Sequence, residues 1–158
     1  MGGGSVAALS AALAAALLEK LTAAPHARGR LQAIRWACLA LIERDAEAFA
    51  RVVQASRTND RAAFRRYLRR ATEAPCRVAE HAETIRAACR ASRRSVKALL
   101  QSDLRCAEAL AGAAAASARA LVQANLAWLD DAAYSKRTRD RLRAVVRLAD
   151  GVPRGEPR

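Results

Sequence analysis

Four polar side chains interrupt the apolar pattern of this sequence: Ser5, Asp45, Asp103 and Asn125. Asp45 falls on the same predicted helical stripe as Leu41, so its carboxylate faces the interior of a helix bundle. Asn125 follows Asp103 by 22 residues, which at 100° per residue is about 40° around a helix axis. A carboxylate in such a place can stabilise a cation, orient or deprotonate water, and return a proton to a leaving group. Asp45 and Asp103 are therefore the two carboxylates of this sequence whose positions need an explanation.

Each of these residues also has a purely structural interpretation. Ser5, Asp103 and the neighbouring Ser102 stand where N-caps and first-turn acids occur. Asn125 can make an interhelical hydrogen bond. Asp45 is harder to explain by structure alone, because an unpaired buried carboxylate costs several kcal/mol; a buried ion pair with an arginine is the alternative.

A glycine run precedes the first of these residues: the chain begins MGGGSVAAL. Gly2, Gly3 and Gly4 can be a linker, or they can let backbone N–H groups approach a ligand at a helix N-terminus. Ser5 continues directly into an apolar helical pattern, which favours the second interpretation.

The elements that must position these groups are helices. The chain has 158 residues, of which 53% are hydrophobic but only 4% aromatic, and glycine and proline are few. This composition predicts an all-α fold, a bundle of five to six long, alanine-rich helices in a single domain over 1–150, with a disordered tail over 151–158. Because such helices bury little apolar area alone, we expect the bundle to dimerise.

The periodicity predicts helices over about 5–23, 31–55, from 60 onwards, 102–130 and 135–149. A break is expected at Pro25 and Gly29, and Pro75 is expected to kink or split the third helix. Leucines four residues apart in the first helix, and Trp128 in the fourth, are predicted to face the core. The four cysteines are predicted to be buried, reduced thiols, and no metal site is expected: Cys38, Cys76, Cys89 and Cys106.

The formal charge is +13, carried almost entirely by arginine. Solvated helix faces are the favoured interpretation, and an arginine-rich nucleic-acid-binding bundle is the alternative. The apolar stretch from Val6 to Leu18 is shorter than the ~20 residues of a membrane span. We therefore expect a cytoplasmic protein without a membrane partner.

Five segments in order resemble the cyclodeaminase/cyclohydrolase family, which includes the C-terminal domain of formiminotransferase-cyclodeaminase and methenyltetrahydrofolate cyclohydrolase. They are GGGSVAAL at 2–9, DAEAF at 45–49, ATEAP with VAE over 71–80, SD with a following Ala over 102–107, and NL with a downstream Asp over 125–131. The resemblance implies a dimer of helical subunits that binds a tetrahydrofolate derivative as substrate in a cleft lined by the glycine turn. It makes Asp45 and Asp103 the candidate catalytic residues, either of which can be the base. The predicted substrate-binding residues are Gly2, Gly3, Gly4, Ser5, Ser102 and Asn125.

The implied reactions are hydrolysis of 5,10-methenyltetrahydrofolate to the formyl form, or loss of ammonia from formiminotetrahydrofolate. A domain without a formiminotransferase half favours the hydrolase over the lyase. The chain departs from the family pattern in three places: Met1 stands where a preceding helix would end, and Leu121 and Gln123 replace residues that are often Asn and Arg. These departures make a catalytically inactive folate-binding or assembly subunit the alternative function.

Overall fold

The computed structural model describes residues 2–151, and all the regular secondary structure in that range is helical, with short turns between the helices, which confirms the predicted all-α class. The tail predicted over 151–158 lies, apart from Gly151, outside the described residues. The helices are α1 (Gly3–Leu21), α2 (Pro25–Arg57), α3 (Arg61–Ser92), α4 (Gln101–Leu129) and α5 (Ala132–Ala149), with one short 3-10 helix, Ala98–Leu100, before α4.

Helix α1 lies at the centre of the bundle and packs against α2, α4 and α3. Its core-facing side consists mainly of alanines, whose small side chains let the neighbouring helices approach closely; the buried ones are Ala7, Ala8, Ala11, Ala12, Ala14 and Ala15. The prediction that its leucines face the core is wrong in part, since Leu13 is 51% exposed and Leu18 is the only fully buried leucine of the described α1 residues.

Two prolines behave differently from expectation. The expected break lies at 22–24, directly before Pro25, which occupies the first turn of α2, where its missing N–H costs nothing, and α2 continues through Gly29. Pro75 is buried inside α3, which continues to Ser92, so the predicted split is wrong and the predicted kink stays a prediction. Packing against the neighbouring helices therefore outweighs the local cost of a proline in the helix interior.

The buried face of α4 shifts along its length. Ala107, Ala114 and Ala118 are buried as their spacing indicates, but the face then continues through Val122 and Leu126. Trp128 is 71% exposed, so its predicted burial is wrong. A seven-residue spacing drifts by about 20° per heptad on a straight α-helix, and three heptads from Ala107 carry Trp128 off the buried side.

Helix α1 is also, within the described residues, the one helix that is long and apolar enough to cross a membrane by length and composition. The apolar run from Val6 to Leu18 ends before Glu19 and Lys20, and the helix is longer than this run because it also includes Gly3–Ser5 and the three residues after Leu18. Half of the apolar 18-residue stretch of α1 is buried inside the bundle. Its central position thus gives the apolar composition a packing explanation.

Candidate functional site

The N-terminus of α1 lies beside the middle of α2 and the last third of α4. Ser5 contacts Ile42 and Asp45 of α2, and the side chain of Leu121 approaches Gly3. Because α2 continues to Arg57, it extends beyond the point where α1 begins. We give the name N-terminal cleft to the surface around residues 2–5, Asp45 and Leu121, with Asn125 one helical turn beyond Leu121 on α4.

Asp45 packs directly on the glycine turn. A Cβ atom at Gly4 would overlap all three atoms of the Asp45 carboxyl group, so only glycine leaves room for the carboxylate in this position. Gly3 is in van der Waals reach of Leu121, 3.4 Å from the position of a Cβ, whereas Gly2 has open space around it. The three predicted binding glycines are therefore not equivalent: Gly4 is the one whose missing side chain places the carboxylate.

Ser5 is not the N-cap of α1, as one interpretation of the sequence had it, but a buried residue of its first turn. Its hydroxyl lies 3.4 Å from the backbone oxygen of Ile42 and 3.5 Å from Oδ2 of Asp45. One hydroxyl proton serves one acceptor at a time, and both distances are long for a hydrogen bond. Gly2, the N-cap, makes no side-chain cap, so Asp45 is the acidic group that α2 supplies to the positive end of the α1 dipole.

The pKa of Asp45 lies above its ordinary value of 3.8. Burial is the main cause, because it disfavours the charged carboxylate, while hydrogen bonds from the side chain and backbone of Ser5 act in the opposite direction. The predicted alternative of a buried Asp45–arginine pair is not found among the ion pairs of the described residues. A half-buried carboxylate without a cationic side chain is suited to accept a proton or to stabilise a cationic ligand.

Asn125 lies one helical turn beyond Leu121, on the same side of α4, and is half-buried. Gln123 projects elsewhere, because two residues correspond to 200° around the helix, and it lines a separate groove between α4 and α5. The two departures from the family pattern thus have different surroundings: Leu121 borders the N-terminal cleft and Gln123 does not.

Asp103 and Ser102 lie at the opposite end of α1. Asp103 Oδ2 is 3.4 Å from Lys20 Nζ in an exposed ion pair. The distance along α1 from Ser5 to Lys20 is about 22 Å at 1.5 Å per residue. A single chain therefore does not bring Asp45 and Asp103 to one substrate atom.

Ser102 does not cap α4, since the helix begins at Gln101 after Leu100 and has no side-chain cap. The side-chain amide of Gln101 instead donates to the backbone oxygens of Arg93 and Val96, at 3.0 and 2.8 Å. These bonds tie the start of α4 to the turn after α3. Ser102 itself is exposed.

Three buried or bridging carboxylates are given no role by the sequence analysis. Glu83 on α3 is 1% exposed and accepts hydrogen bonds from Arg86, at 2.8 Å, and from Arg119 of α4. Arg141 of α5 is held by Glu73, at 2.8 and 3.1 Å, and by Glu80, at 3.0 Å. These pairs join α3 to α4 and to α5. The three-residue spacing from Glu83 to Arg86 is a local signal, but the partners on α4 and α5 are not visible in the sequence.

Three of the four cysteines are buried as predicted: Cys38, Cys76 and Cys89. Burial raises the pKa of Cys38 to about 12 and those of Cys76 and Cys89 to about 11, so these thiols stay protonated and unreactive near neutral pH. Cys106 is exposed, which corrects the prediction, because it lies on the outward side of the first turns of α4.

The fold and the glycine–aspartate cleft define a class of all-helical bundle, and comparison with known proteins gives the family. Over residues 1–144 the sequence matches the formiminotransferase-cyclodeaminase family model, and the chain belongs to that family. This confirms the resemblance drawn from the five segments.

The fold is similar to the crystal structure of formiminotetrahydrofolate cyclodeaminase from Thermotoga maritima, with a TM-score of 0.84. The two chains are 21% identical, and the match covers 96% of this chain and 83% of that one. No match was found among curated proteins.

Proposed function

We propose that this chain is a folate one-carbon enzyme that acts on a tetrahydrofolate derivative in the N-terminal cleft. The observation that carries the proposal is the Asp45 carboxylate, held against Gly4 at the N-terminus of α1 in a family named for cyclodeaminase activity. The solved structure of similar fold is itself named a formiminotetrahydrofolate cyclodeaminase.

Two reactions of one carbon centre are consistent with this site. In the cyclodeaminase reaction, N10 of the substrate attacks the formimino carbon on N5, a tetrahedral carbon forms, and ammonia leaves to give the 5,10-methenyl compound. In the cyclohydrolase reaction, water adds to the methenyl carbon, loses a proton, and the bond from that carbon to one ring nitrogen breaks to give the formyl compound. Both pass through a tetrahedral carbon and both need a proton acceptor.

Asp45 is the proposed base for either reaction. Its carboxylate accepts the proton of N10 or of water, stabilises the cationic carbon, and returns the proton to the departing nitrogen. The backbone N–H groups of residues 2–4 are the proposed donors to a substrate oxygen, since the first N–H groups of a helix have no partner within it. Asn125 is the proposed hydrogen-bond partner for the edge of the ring system.

Aromatic and basic residues near the cleft are suited to bind a flat, anionic ligand. Phe49, one turn beyond Asp45 on α2, is 62% exposed, and Trp128, one turn beyond Asn125 on α4, is 71% exposed. Such surfaces suit stacking on a pterin or benzoyl ring. Arg44, Arg51 and Arg70 line a shallow pocket between α2 and α3 with Tyr67, and we propose that they bind the glutamate carboxylates of the folate.

A catalytic role for Asp103, and a binding role for Ser102, require a cleft shared by two copies of the chain. We propose a cytoplasmic homodimer, in which the half-exposed side chains of Val6 and Leu13 on the outward face of α1 are covered. The test mixes Asp45→Asn with Asp103→Asn protein under exchange conditions. In a shared cleft, mixed dimers contain one intact site and regain activity well above that of either variant alone; no recovery contradicts the shared cleft.

The proposal is tested by two assays on the purified chain. One follows the loss of methenyltetrahydrofolate absorbance, and the other measures ammonia released from 5-formiminotetrahydrofolate. Turnover in the second assay alone identifies a cyclodeaminase, and turnover in the first identifies a cyclohydrolase. If neither substrate is turned over above the rate without protein, the enzymatic proposal is wrong.

Leu121 favours a second candidate, a folate-binding subunit without catalysis. Its apolar side chain packs beside Gly3 where the family pattern often has a polar residue. Calorimetry with a stable tetrahydrofolate analogue distinguishes the two: binding without turnover supports the inactive subunit. Leu121→Asn is then expected to restore turnover if this one residue accounts for the loss.

A further inference from the structure

A second concave surface lies between α4 and α5 and encloses about 350 Å³. Its floor is apolar, formed by Val122, Leu126, Leu142 and Val146, and its rim is polar. The rim residues are Arg119, Gln123, Arg139, Arg143 and Arg147. We call it the α4–α5 groove.

This groove is separate from the N-terminal cleft. Leu121 borders the cleft, and Val122 and Gln123, which line the groove, lie 100° and 200° further around α4. The two sites therefore face opposite sides of the same helix. A ligand in one does not contact the catalytic carboxylate of the other.

The charge of the groove is one-sided. Four of its nine lining residues are arginines and none of the nine, all within the described part of the chain, is acidic. Arg143 reaches only the neighbouring Asp140, at 3.7 Å, which is a weak contact. The rim consequently offers cationic donors to an incoming anion.

One of the rim arginines, Arg119, is held in position by a buried carboxylate. Arg119 donates to Glu83, whose side chain is only 2% exposed and which also binds Arg86. The contact holds the guanidinium in place while about a third of the side chain, 34%, stays exposed, so binding an anion costs little further side-chain entropy. This built contact distinguishes the groove from the solvated arginine faces elsewhere on the molecule.

We propose that the α4–α5 groove binds a small amphipathic anion, in which a carboxylate or phosphate is attached to an apolar body. The apolar floor accepts the body, and the arginine rim binds the anionic head with charge-assisted, bidentate hydrogen bonds. The volume is within the range of about 300–1,000 Å³ for small-molecule sites. This site is independent of the proposed folate chemistry.

The experiment titrates the full chain by calorimetry with four probes below their micelle concentrations. Dodecanoate and dodecyl phosphate carry both features, dodecanol carries only the apolar body, and inorganic phosphate carries only the charge. We expect one equivalent of each amphipathic anion to bind, at least tenfold more tightly than dodecanol or phosphate; the tighter of the two identifies the preferred head group. Equal binding of dodecanol or of phosphate alone contradicts the proposal.

Variants locate the binding. Arg143→Gln/Arg147→Gln removes two rim charges and is expected to weaken dodecanoate at least tenfold. Arg94→Gln/Arg105→Gln removes the same charge from exposed positions outside the groove and is expected to change the affinity less than twofold. Equal weakening by both pairs means non-specific attraction to a basic protein and overturns the proposal.

Two further measurements distinguish loss of binding from misfolding and from an interface between two copies of the chain. Circular dichroism checks that the groove variant is folded, and Val146→Glu, which places a carboxylate on the floor, must weaken dodecanoate in the same way. Sedimentation of the wild-type and groove variants tests a different occupant. If the groove variants dissociate a dimer, the groove is an interface between two copies and not a ligand site.

Discussion

An aspartate lies at each end of α1, and the two carboxylates differ in burial and in their charged partners. At the N-terminal end, Asp45 is half-buried, packs on Gly4 and has a raised pKa. At the C-terminal end, Asp103 is paired with Lys20 at the surface, where 36% and 67% of the two side chains are exposed. Asp45 is suited to proton transfer because it is partly buried at a helix N-terminus and has no cationic side chain paired with it among the described residues. Asp103 is solvated and ion-paired, which makes it less suited to that role.

The largest expected effect is that of Asp45→Asn. The variant keeps an oxygen acceptor for the first turn of α1 but loses the proton acceptor, so we expect turnover to fall by about 10²–10⁴-fold. The thermal unfolding midpoint should change by only a few degrees. Steady-state kinetics and a thermal melt measure both, and undiminished turnover would remove Asp45 from the mechanism.

Gly4→Ala tests the position of the carboxylate without changing its chemistry. The added methyl group displaces the Asp45 side chain, and misplacement by about 1 Å can cost on the order of 10²-fold in rate. Gly2→Ala is the matched control, since nothing lies within 4 Å of its added methyl group and its φ of −90° suits alanine. If both alanines reduce turnover equally, the effect belongs to the flexibility of the turn and not to Asp45.

The pH dependence of turnover should carry the same signature. A base must be ionised to act, so the rate is expected to fall on the acidic side, with a midpoint above the ordinary 3.8 of an aspartate. Asp45→Asn should lose this acid limb, whereas Asp103→Asn measured in parallel should not be altered in its midpoint. An acid limb that persists in Asp45→Asn would assign it to another group.

Stability should respond to pH in a smaller way. Because the pKa of Asp45 is higher in the folded chain than in the unfolded one, the protonated form is favoured by folding, and its contribution is lost as pH rises from about 3.8 through the raised value. Unfolding titrations over this range should therefore show wild type losing stability relative to Asp45→Asn. A difference of the opposite sign would mean that Ser5 and the helix dipole outweigh burial.

The smallest effect is expected at the other end of α1. Lys20→Gln breaks the exposed ion pair with Asp103 and should lower the free energy of unfolding by no more than about 1 kcal/mol, and by less at high salt. Urea denaturation at two salt concentrations measures it. A loss of several kcal/mol would show that the two ends of α1 differ less than their exposures indicate.

The sequence predicted the part of the site that depends on helical periodicity. Asp45 interrupts an apolar stripe of one helix, and the glycines precede another, so each is visible locally. Their contact is not visible, because it depends on how α1 and α2 are aligned along each other. For the same reason Asp103 was grouped with Asp45, although the antiparallel packing of α1 and α4 places it at the far end.

Errors of the fold prediction have a common physical origin. The predictions for Pro25 and Pro75 rest on the tendency of proline to interrupt a helix. Pro25 lies in the first turn of α2, where no N–H is needed, and Pro75 is buried in α3, where packing holds the helix together. The spacing of Leu13 and Trp128 predicts core positions, yet both are exposed, and the core of this bundle is built largely from alanine. Glu83 was missed because its second partner, Arg119, comes from another helix.

The central position of α1 also sets an order on folding. Its partner α4 follows roughly 80 residues later, so at a synthesis rate of about 5–20 residues per second α1 is made roughly 4–16 s before the helix that completes its burial. During that interval the side of α1 that packs on α4 has no native partner, and pairing with α2 can cover only another part of this most apolar helix of the described chain. The newly made chain is therefore most prone to aggregate before α4 is complete.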